Sequence, residues 1–204
     1  MPLKETYPAG TTPSIASYDY TDISDGQGFV KYFLGVTPVS ATTTYCLSRT
    51  SFYSEIIYTG GTAGSDTPSG VFNQNFTTTM NTPRTIVGTA IVSIPTLLSF
   101  TGSIYVKVTL SKISGGVTTQ LATATSPTYS NTSPTSLYTY FSTPLTIART
   151  HFKKEDTLQL NVELHAWGSA SGVWRIGHDP KGRTLGTGSD GSEASILVPF
   201  DIDD

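Results

Sequence analysis

The sequence predicts an all-β protein built as an antiparallel sandwich of two sheets, with about eight to ten strands. The clearest evidence is the segment Thr157–Trp167, in which apolar residues occupy every second position, because strand side chains alternate between two faces. Turn-forming residues recur roughly every 8–15 positions, and no convincing amphipathic helical pattern is present. The apolar positions of this segment are Leu158, Leu160, Val162, Leu164 and Ala166.

The chain of 204 residues suits one domain preceded by a short arm. Residues 1–16 contain three prolines and little periodicity, which is typical of an extended N-terminal arm. Two hypotheses stay open for this arm: a floppy terminus, or a segment that orders on a neighbouring subunit. Residues 17–204 are predicted to form a single sandwich domain.

The first two predicted strands, 17–23 and 28–34, flank the dipeptide Asp25-Gly26, which is typical of a tight hairpin turn. The second of these strands is apolar on both faces. Such a strand is either covered on both sides or lies at an interface. It contributes three residues to a predicted interface or ligand platform, namely Phe29, Tyr32 and Phe33.

Glycines punctuate the middle of the chain. Residues 60–70 are predicted to form a long loop rich in Gly, Ser, Thr and Pro. Gly88 lies inside a strand pattern and suggests a bulge or a close backbone approach, and Gly115-Gly116 predicts a hairpin turn. The strands predicted in this part of the chain are 45–47, 54–58, 72–76, 85–94, 103–111 and 118–125.

The last third of the chain carries two predicted loops, 126–136 and 177–194. Pro199 lies in the final strand and cannot donate a ladder hydrogen bond, which indicates an edge strand or a neighbouring bulge. With turns at this spacing, the strands indicate a jelly roll as the form of the sandwich. The strands predicted here are 136–141, 157–167, 173–176 and 195–202, and residues 144–149 are predicted to approach the strand 157–167.

The composition is poor in charge. Charged residues make up 13% of the chain, whereas roughly three residues in ten are Thr or Ser. Such a surface suits packing against other copies or binding of neutral ligands. The net charge of −3 argues against a nucleic-acid partner, which needs clustered Lys and Arg. The sequence has no apolar run of about 20 residues and no signal peptide at its start, so no membrane partner is predicted.

The sequence offers no recognisable catalytic or metal-binding motif. His151, His165 and His178 share no ligand spacing, and no G-x-S-x-G elbow is present. The carboxylates near the central strand fit a solvated face as well as a paired catalytic site. Cys46 is predicted to be a small buried hydrophobe. The sequence therefore predicts no catalytic residue and no cofactor. His178-Asp179-Pro180 is predicted to form a turn in which Asp179 accepts backbone amides.

A structural calcium ion is the one cofactor that the acidic residues leave open. Asp19, Asp22 and Asp25 resemble a cation loop but lack the spacing of an EF-hand. Three carboxylates close to the C-terminus, Asp201, Asp203 and Asp204, add acidic character. Solvated carboxylates at a sheet edge are the alternative interpretation.

Two tryptophans, Trp167 and Trp174, bracket one predicted turn. A pair of indoles across a hairpin can form a stacking platform for a sugar ring. They can also plug the end of the sandwich or anchor a subunit interface. Both residues therefore join the predicted interface or ligand platform.

Three segments together resemble known jelly-roll β-sandwich proteins. They are 84–90 (RTIVGTA), 102–110 (GSIYVKVTL) and 148–160 (ARTHFKKEDTLQL). Residues 70–202 are similar in pattern to virion structural and decoration proteins and to galactose-binding-like and carbohydrate-binding modules. The resemblance implies the jelly-roll fold, and it transfers no functional residue.

These observations predict a non-enzymatic virion structural protein: a capsid decoration, vertex or minor capsid subunit. It would act by self-association, most simply as a trimer, and by packing on other capsid proteins in a virion assembled in the host cytoplasm. The charge-poor surface, the doubly apolar strand and the arm support this hypothesis. The alternative is a carbohydrate-binding or adhesive module with a glycan as its partner.

Overall fold

The computed structural model describes residues 27–39, 42–63, 68–133, 135–168, 172–186 and 191–201. They form twelve β-strands and no helix, so the all-β prediction is confirmed. The predicted arm and the first predicted strand lie outside the described residues. The strands are β1 (Gln27–Val39), β2 (Thr42–Ser48), β3 (Tyr58–Ala63), β4 (Ser69–Thr79), β5 (Arg84–Leu98), β6 (Gly102–Ser114), β7 (Val117–Thr125), β8 (Tyr129–Asn131), β9 (Leu137–Phe152), β10 (Thr157–Trp167), β11 (Gly172–Gly177) and β12 (Ser195–Asp201).

The strands hydrogen-bond into one mixed sheet in the order β3-β11-β5-β12-β1-β2-β4-β10-β6-β7, with β9 beside β5 and β8 beside β6. The described pairs are antiparallel except β2 and β4, which run parallel where Cys46 pairs with Thr77. We call this β2–β4 pairing the seam. The first half of the sheet comprises β1, β2, β3, β5, β9, β11 and β12, and the second half comprises β4, β6, β7, β8 and β10.

The structure therefore corrects the predicted pair of separate antiparallel sheets to one continuous mixed sheet of twelve strands. The physical reason is that a two-residue period indicates which side chains face a core, but it does not identify the strands that share hydrogen bonds. The predicted strand 136–141 and the segment 144–149, predicted only to approach the central strand, lie in one sixteen-residue strand, β9. Strand β8 lies within the predicted loop 126–136.

Both halves of the sheet bury side chains in one hydrophobic cluster. Val92 and Ile196 of the first half and Val106 and Leu160 of the second half belong to it, and all four are fully buried. The sheet is therefore folded over a single core. Burial of an aliphatic side chain of this kind stabilises the fold by about 1.5–3 kcal/mol.

Strand β10 alternates as its sequence predicts. Its apolar residues are buried and the intervening residues are half-buried along the whole strand. It is central to its half, because β4 pairs with it on one side and β6 on the other. The charged turn before it is closed by Asp156, whose carboxylate accepts a hydrogen bond from the Lys153 amide at 2.8 Å. Hydrogen bonds from Ser114 and Lys112 lower the pKa of Asp156 to about 2.

Two predicted irregularities are confirmed. Gly88 has a φ of 112° and lies where the pairing of β5 with β9 shifts register. A residue with a side chain would be strained in this conformation. Pro199 lies inside the register shift between Leu197 and Phe200 of β12, so it sits at a bulge. The other alternative, an edge strand, is wrong, because β12 is paired on both sides by β1 and β5.

The predicted loop 60–70 begins as a strand instead. Gly60 and Gly61 belong to β3 and pair with β11. Their lack of side chains explains this position, since a Cβ on Gly61 would come within 3.0 Å of the Trp174 indole. By contrast, residues 54–57, predicted as part of a strand, lie outside the strands. In the part of the chain that the structure describes, no helix has the length and apolar character needed to cross a membrane.

Candidate functional site

A continuous row of aromatic side chains lies on the outward side of β6 and β10. Tyr105 and His165 are register partners on adjacent strands. Their rings stack with centroids 4.6 Å apart and planes 9° apart. The Trp167 indole meets Tyr105 edge-on at 5.9 Å. We call these three residues the aromatic face. Each is half-buried, because each packs sideways on its neighbour while its outer side stays open to solvent.

The charges next to the aromatic face neutralise one another. Lys107 donates from Nζ to Glu163 Oε1 at 2.8 Å, and His165 Nε2 lies 3.5 Å from Glu163 Oε2. The hydrogen bond from Lys107 lowers the pKa of Glu163. Further along β10, Asn161 donates from Nδ2 to the side-chain oxygens of Asn73 and Asn75 at 2.7 and 2.8 Å. This row therefore offers hydrogen-bonding groups with little net charge.

A hollow of about 230 Å³ opens beside Trp167. The Ser103 and Ser130 hydroxyls lie 2.9 Å apart in its wall. Buried Asn131 fixes the rim, because its Nδ2 donates to the carbonyls of Phe100 and Thr135, both at 3.0 Å. The wall therefore presents hydroxyl groups and one indole. The residues that line the hollow are Thr101, Gly102, Ser103, Ser130, Asn131, Trp167 and Gly168.

A second hollow, of about 190 Å³, lies between β5 and β11. Its charged side chain is Arg175, which donates from a terminal nitrogen to the Leu185 carbonyl at 2.7 Å. The guanidinium also lies over the Tyr58 ring, 4.5 Å from its centroid. Because Arg175 is engaged in these two contacts, this hollow is less suited to a polar ligand than the hollow beside Trp167.

The first half of the sheet carries a different outward surface. One row of register partners crosses it as Lys31, Leu197, Ile91 and Pro144 on four adjacent strands. Ile91 is 37% exposed, which is high for an apolar residue in the middle of a sheet. We call the apolar residues of this surface the apolar face; they are Phe29, Phe33, Ile91, Pro144 and Leu197.

The ion pair between Lys31 and Glu193 lies beside the apolar face. Lys31 Nζ lies 2.6 Å from Glu193 Oε1 and 4.6 Å from the centroid of the Phe33 ring. Next to this pair, Tyr140 is 47% exposed and donates its hydroxyl hydrogen bond to the Glu193 carbonyl. The burial of Tyr140 raises the pKa of its hydroxyl, and the Glu193 charge raises it further. The surface therefore offers ring and aliphatic area with its charges already paired.

The structure separates the five residues of the predicted interface or ligand platform. Phe29 and Phe33 lie half-buried on the apolar face. Tyr32, on the opposite side of the same strand, is 1% exposed and accepts hydrogen bonds from Arg49 at its hydroxyl. Trp174 is 5% exposed and packs on Gly61, whereas Trp167 faces outward. The two indoles therefore do not share one surface, and the role of each residue in binding stays a prediction.

A buried histidine lies at the seam. His178 is 1% exposed, and its Nε2 lies 2.9 Å from the Thr59 hydroxyl oxygen. Its ring meets those of Tyr45 and Phe76, the aromatic residues on the two sides of the seam, at 5.7 and 6.2 Å. Burial lowers the pKa of His178 to about 4, so the ring is neutral at pH 7. Its Nδ1 has no hydrogen-bond partner within the described ranges.

A hydroxyl group next to an imidazole is one part of a nucleophilic catalytic site. The pair formed by Thr59 and His178 lacks the third part among the described residues, since no carboxylate holds His178 Nδ1. The neighbouring Asp179 carboxylate is turned elsewhere and accepts hydrogen bonds from Ser54 N at 3.2 Å and Arg183 Nε at 2.7 Å. Complete burial also keeps a substrate away from this imidazole.

The predicted turn at Asp179-Pro180 is confirmed. The Asp179 carboxylate accepts backbone hydrogen bonds from Lys181 and Arg183, and the Asp179 carbonyl accepts one from Gly182 at 2.8 Å. Burial acts to raise the pKa of Asp179. The hydrogen bonds that its carboxylate accepts from Arg183, Ser54 and Lys181 have the larger combined effect, so the pKa is lowered. Asp179 is therefore a charged centre that orders this loop.

The remaining candidates are dispersed. His151 is exposed and its Nδ1 lies 3.2 Å from the Thr85 hydroxyl oxygen. Of the acidic residues considered for calcium, Asp201 is described and pairs with Arg149. The other five aspartates lie outside the described residues, so calcium binding stays a prediction. Within the described ranges, no group of three His, Cys, Asp or Glu side chains could hold a metal ion. Burial raises the pKa of the half-buried Cys46 thiol.

Comparison with known proteins gives a likeness in structure alone. No family model matches the chain, and no curated protein does. An alpha-amino acid ester hydrolase matches with a TM-score of 0.57 and 12% identity over 84% of this chain. A CocE/NonD family hydrolase from Staphylococcus aureus matches with 0.54 and 11% over 86% of this chain. An aminopeptidase from a marine sediment archaeon of the Thaumarchaeota matches with 0.54 and 8% over 83% of this chain.

This chain shares its fold with parts of hydrolases. It spans only 36%, 37% and 36% of those three chains, respectively. A structure of infectious bursal disease virus gives a TM-score of 0.25, which is too low to carry an argument. At these identities the likeness establishes the fold, and the activities belong to the matched proteins.

The comparisons overturn the predicted non-enzymatic virion structural protein. Four matched solved structures with TM-scores above 0.5 are hydrolases, and nothing supports a virion location. Capsid proteins as partners stay a prediction. The alternative of a carbohydrate-binding or adhesive module as the function of the protein is set aside with it. The prediction failed because a Thr-rich, charge-poor composition reflects strand propensity, which β-sheet proteins of many functions share. A glycan as the ligand of one surface remains untested.

Proposed function

We propose that this chain is the β-sheet unit of a hydrolase that cleaves ester or peptide bonds, and that its apolar face packs against the catalytic unit. The observation that carries the proposal is the likeness of more than four-fifths of the chain to three kinds of hydrolase. Because the chain spans little more than a third of each, most of every matched hydrolase lies outside the shared fold. The catalytic unit is placed in that remainder, on the same polypeptide or on a partner.

The chemistry of the described residues supports this division of labour. Hydrolysis of an ester or amide needs an accessible nucleophile with a general base beside it. His178 is buried, and Asp179 is used by backbone amides and Arg183. The proposal therefore assigns the nucleophile and the base to the catalytic unit.

The apolar face supports the proposed attachment. Ile91 is exposed on β5 between two paired strands, Tyr140 is exposed on the neighbouring strand β9, and Lys31 and Glu193 already neutralise each other. Covering such a surface removes apolar area from water without leaving an unpaired charge, which is the usual basis of a lasting interface.

A finer proposal concerns the architecture. We propose that the two halves of the sheet correspond to the two layers of a jelly roll, joined through the seam. Support comes from the single hydrophobic cluster to which both halves contribute, and from the single residue pair at which β2 meets β4.

The test uses the protein purified under native conditions from its natural source, with every polypeptide that stays attached. The substrates are chromogenic aminoacyl esters and aminoacyl p-nitroanilides. We expect the intact protein to carry hydrolytic activity, and Ile91→Glu to lower the activity recovered per mole of chain by about ten-fold or more. Val117→Glu is the matched control, because Val117 is 67% exposed on β7, away from the apolar face.

Absence of hydrolysis from the intact protein with all of these substrates would overturn the hydrolase proposal. Full activity in Ile91→Glu would leave that proposal standing and remove the apolar face from it. The homo-oligomer predicted from the composition, with a trimer as its favoured form, is a separate proposal for the same surface. Light scattering of the purified chain measures it directly.

A further inference from the structure

We propose that the aromatic face and the adjoining hollow form a binding site for a neutral carbohydrate, with one sugar ring seated against Trp167. The site lies on the second half of the sheet, whereas the proposed attachment surface lies on the first half. This inference stands independently of the hydrolase proposal, because it concerns binding by the chain alone.

The arrangement of the rings is the first reason to expect a sugar ligand. Trp167, Tyr105 and His165 form one unbroken row, in which Tyr105 contacts both of the others. Each ring is held in place by a ring neighbour, so little conformational freedom is lost when a ligand stacks on the row. Sugar rings carry apolar C–H faces that pack against aromatic side chains, and the indole offers the largest face.

The size and lining of the hollow are the second reason to expect a sugar ligand. Its volume of about 230 Å³ is below the range of about 300–1,000 Å³ typical of drug-sized ligands, so it suits a single small ring. The exposed Ser130 hydroxyl lies in its wall next to Ser103. Hydroxyl groups both donate and accept hydrogen bonds, which matches the hydroxyls of a sugar.

The third reason is that the charged side chains of the site already neutralise one another, which favours a neutral ligand. The Glu163 carboxylate is occupied by Lys107 and lies next to His165. A strongly charged ligand would find no unpaired opposite charge among these residues. A neutral polyol needs no such charge and can bind through hydrogen bonds and ring contacts alone. The amides of Asn161, Asn73 and Asn75 extend the row of polar groups. From Trp167 to Asn161 the row is about 20 Å long at 3.4 Å per residue, which favours a chain of sugars over a lone ring.

The test is isothermal titration of the intact chain with four neutral hexasaccharides: maltohexaose, cellohexaose, laminarihexaose and mannohexaose. We expect at least one of them to bind, and Trp167→Ala to weaken that binding by about ten-fold or more. Tyr53→Ala is the matched control, since Tyr53 is an aromatic residue that is 73% exposed and remote from the aromatic face. We expect its dissociation constant to stay within about two-fold of that of the intact chain.

A second variant guards against misfolding of Trp167→Ala. Ser130→Trp fills the hollow from an exposed position and leaves the core untouched, so we expect it to fold and to lose binding by a similar factor. The proposal is overturned if none of the four sugars binds at millimolar concentration. It is equally overturned if a sugar binds and neither Trp167→Ala nor Ser130→Trp weakens it. Since no hydrolysis is measured, failure here leaves the proposed function as it stands.

Discussion

The two outward faces of this sheet are built from the same kind of strand and differ in chemistry. The apolar face presents Phe29, Ile91 and Leu197 beside the Lys31–Glu193 ion pair. The aromatic face presents stacked rings beside amides, hydroxyls and a neutralised carboxylate. An apolar surface favours a contact that stays covered, whereas rings flanked by hydrogen-bonding groups favour a ligand that exchanges with water. One sheet thus carries two outward surfaces of different chemistry.

We expect the largest change in the free energy of unfolding at the seam between the two halves, as the pH falls. His178 packs there between Tyr45 and Phe76, and its pKa is lowered to about 4 from an ordinary value of 6.5. The unfolded chain therefore binds a proton more readily than the folded chain as the pH falls. The free energy of unfolding should be highest above pH 6.5 and should fall by about 3 kcal/mol between pH 6.5 and pH 4.

Urea unfolding of the intact chain and of His178→Gln across this range measures the effect. Gln cannot take up a proton, so its unfolding free energy should lack the component lost between pH 6.5 and pH 4. His151→Gln is the matched control, because it replaces an exposed imidazole that lies outside the seam. An unchanged pH dependence in His178→Gln would show that His178 does not control the seam.

A smaller energetic effect is expected at the aromatic face. Stacking of Tyr105 on His165 should stabilise the fold by about 0.5–1 kcal/mol beyond the separate contributions of the two residues. A double-mutant cycle with Tyr105→Ala, His165→Ala and the combined variant isolates this coupling. If the effects of the two single variants simply add, the rings are not coupled and the face is not preorganised.

The smallest effect distinguishes the ion pairs of the two faces. Lys31–Glu193 and Lys107–Glu163 are both partly exposed, and Glu163 is the more buried of the two glutamates at 21% exposure against 36%. Each pair should be worth less than about 1 kcal/mol, with the larger value for Lys107–Glu163. Cycles with Lys→Met and Glu→Gln at 0.05 M and 1 M salt test this order, because screening should weaken Lys31–Glu193 more. Equal values at both salt concentrations would contradict it.

The sequence predicts the local features of this fold well. The alternation in β10, the bulge at Gly88 and the turn organised by Asp179 all follow from the chemistry of single residues. The doubly apolar segment in β1 also has a physical counterpart: Tyr32 faces the core while Phe29 and Phe33 face outward. In each case the determining interaction lies within the strand or turn itself.

Features set by distant residues were missed. Gly60 and Gly61 resemble loop residues until Trp174 is known to fill the space beside them. The seam depends on a parallel contact between Cys46 and Thr77, thirty-one positions apart, which no pattern within either strand indicates. The stacking of Tyr105 on His165 needs the register of β6 against β10. The functional prediction was wrong for the same reason, since composition does not indicate which side chains the fold brings together on one surface.

We propose that this chain works within a hydrolase through its apolar face. The most direct measurement is the hydrolysis of aminoacyl esters and aminoacyl p-nitroanilides by natively purified protein, with Ile91→Glu compared against Val117→Glu. We expect activity in the intact protein and in Val117→Glu, and a loss of about ten-fold or more in Ile91→Glu. No hydrolysis by the intact protein, or equal hydrolysis by both variants, would contradict it.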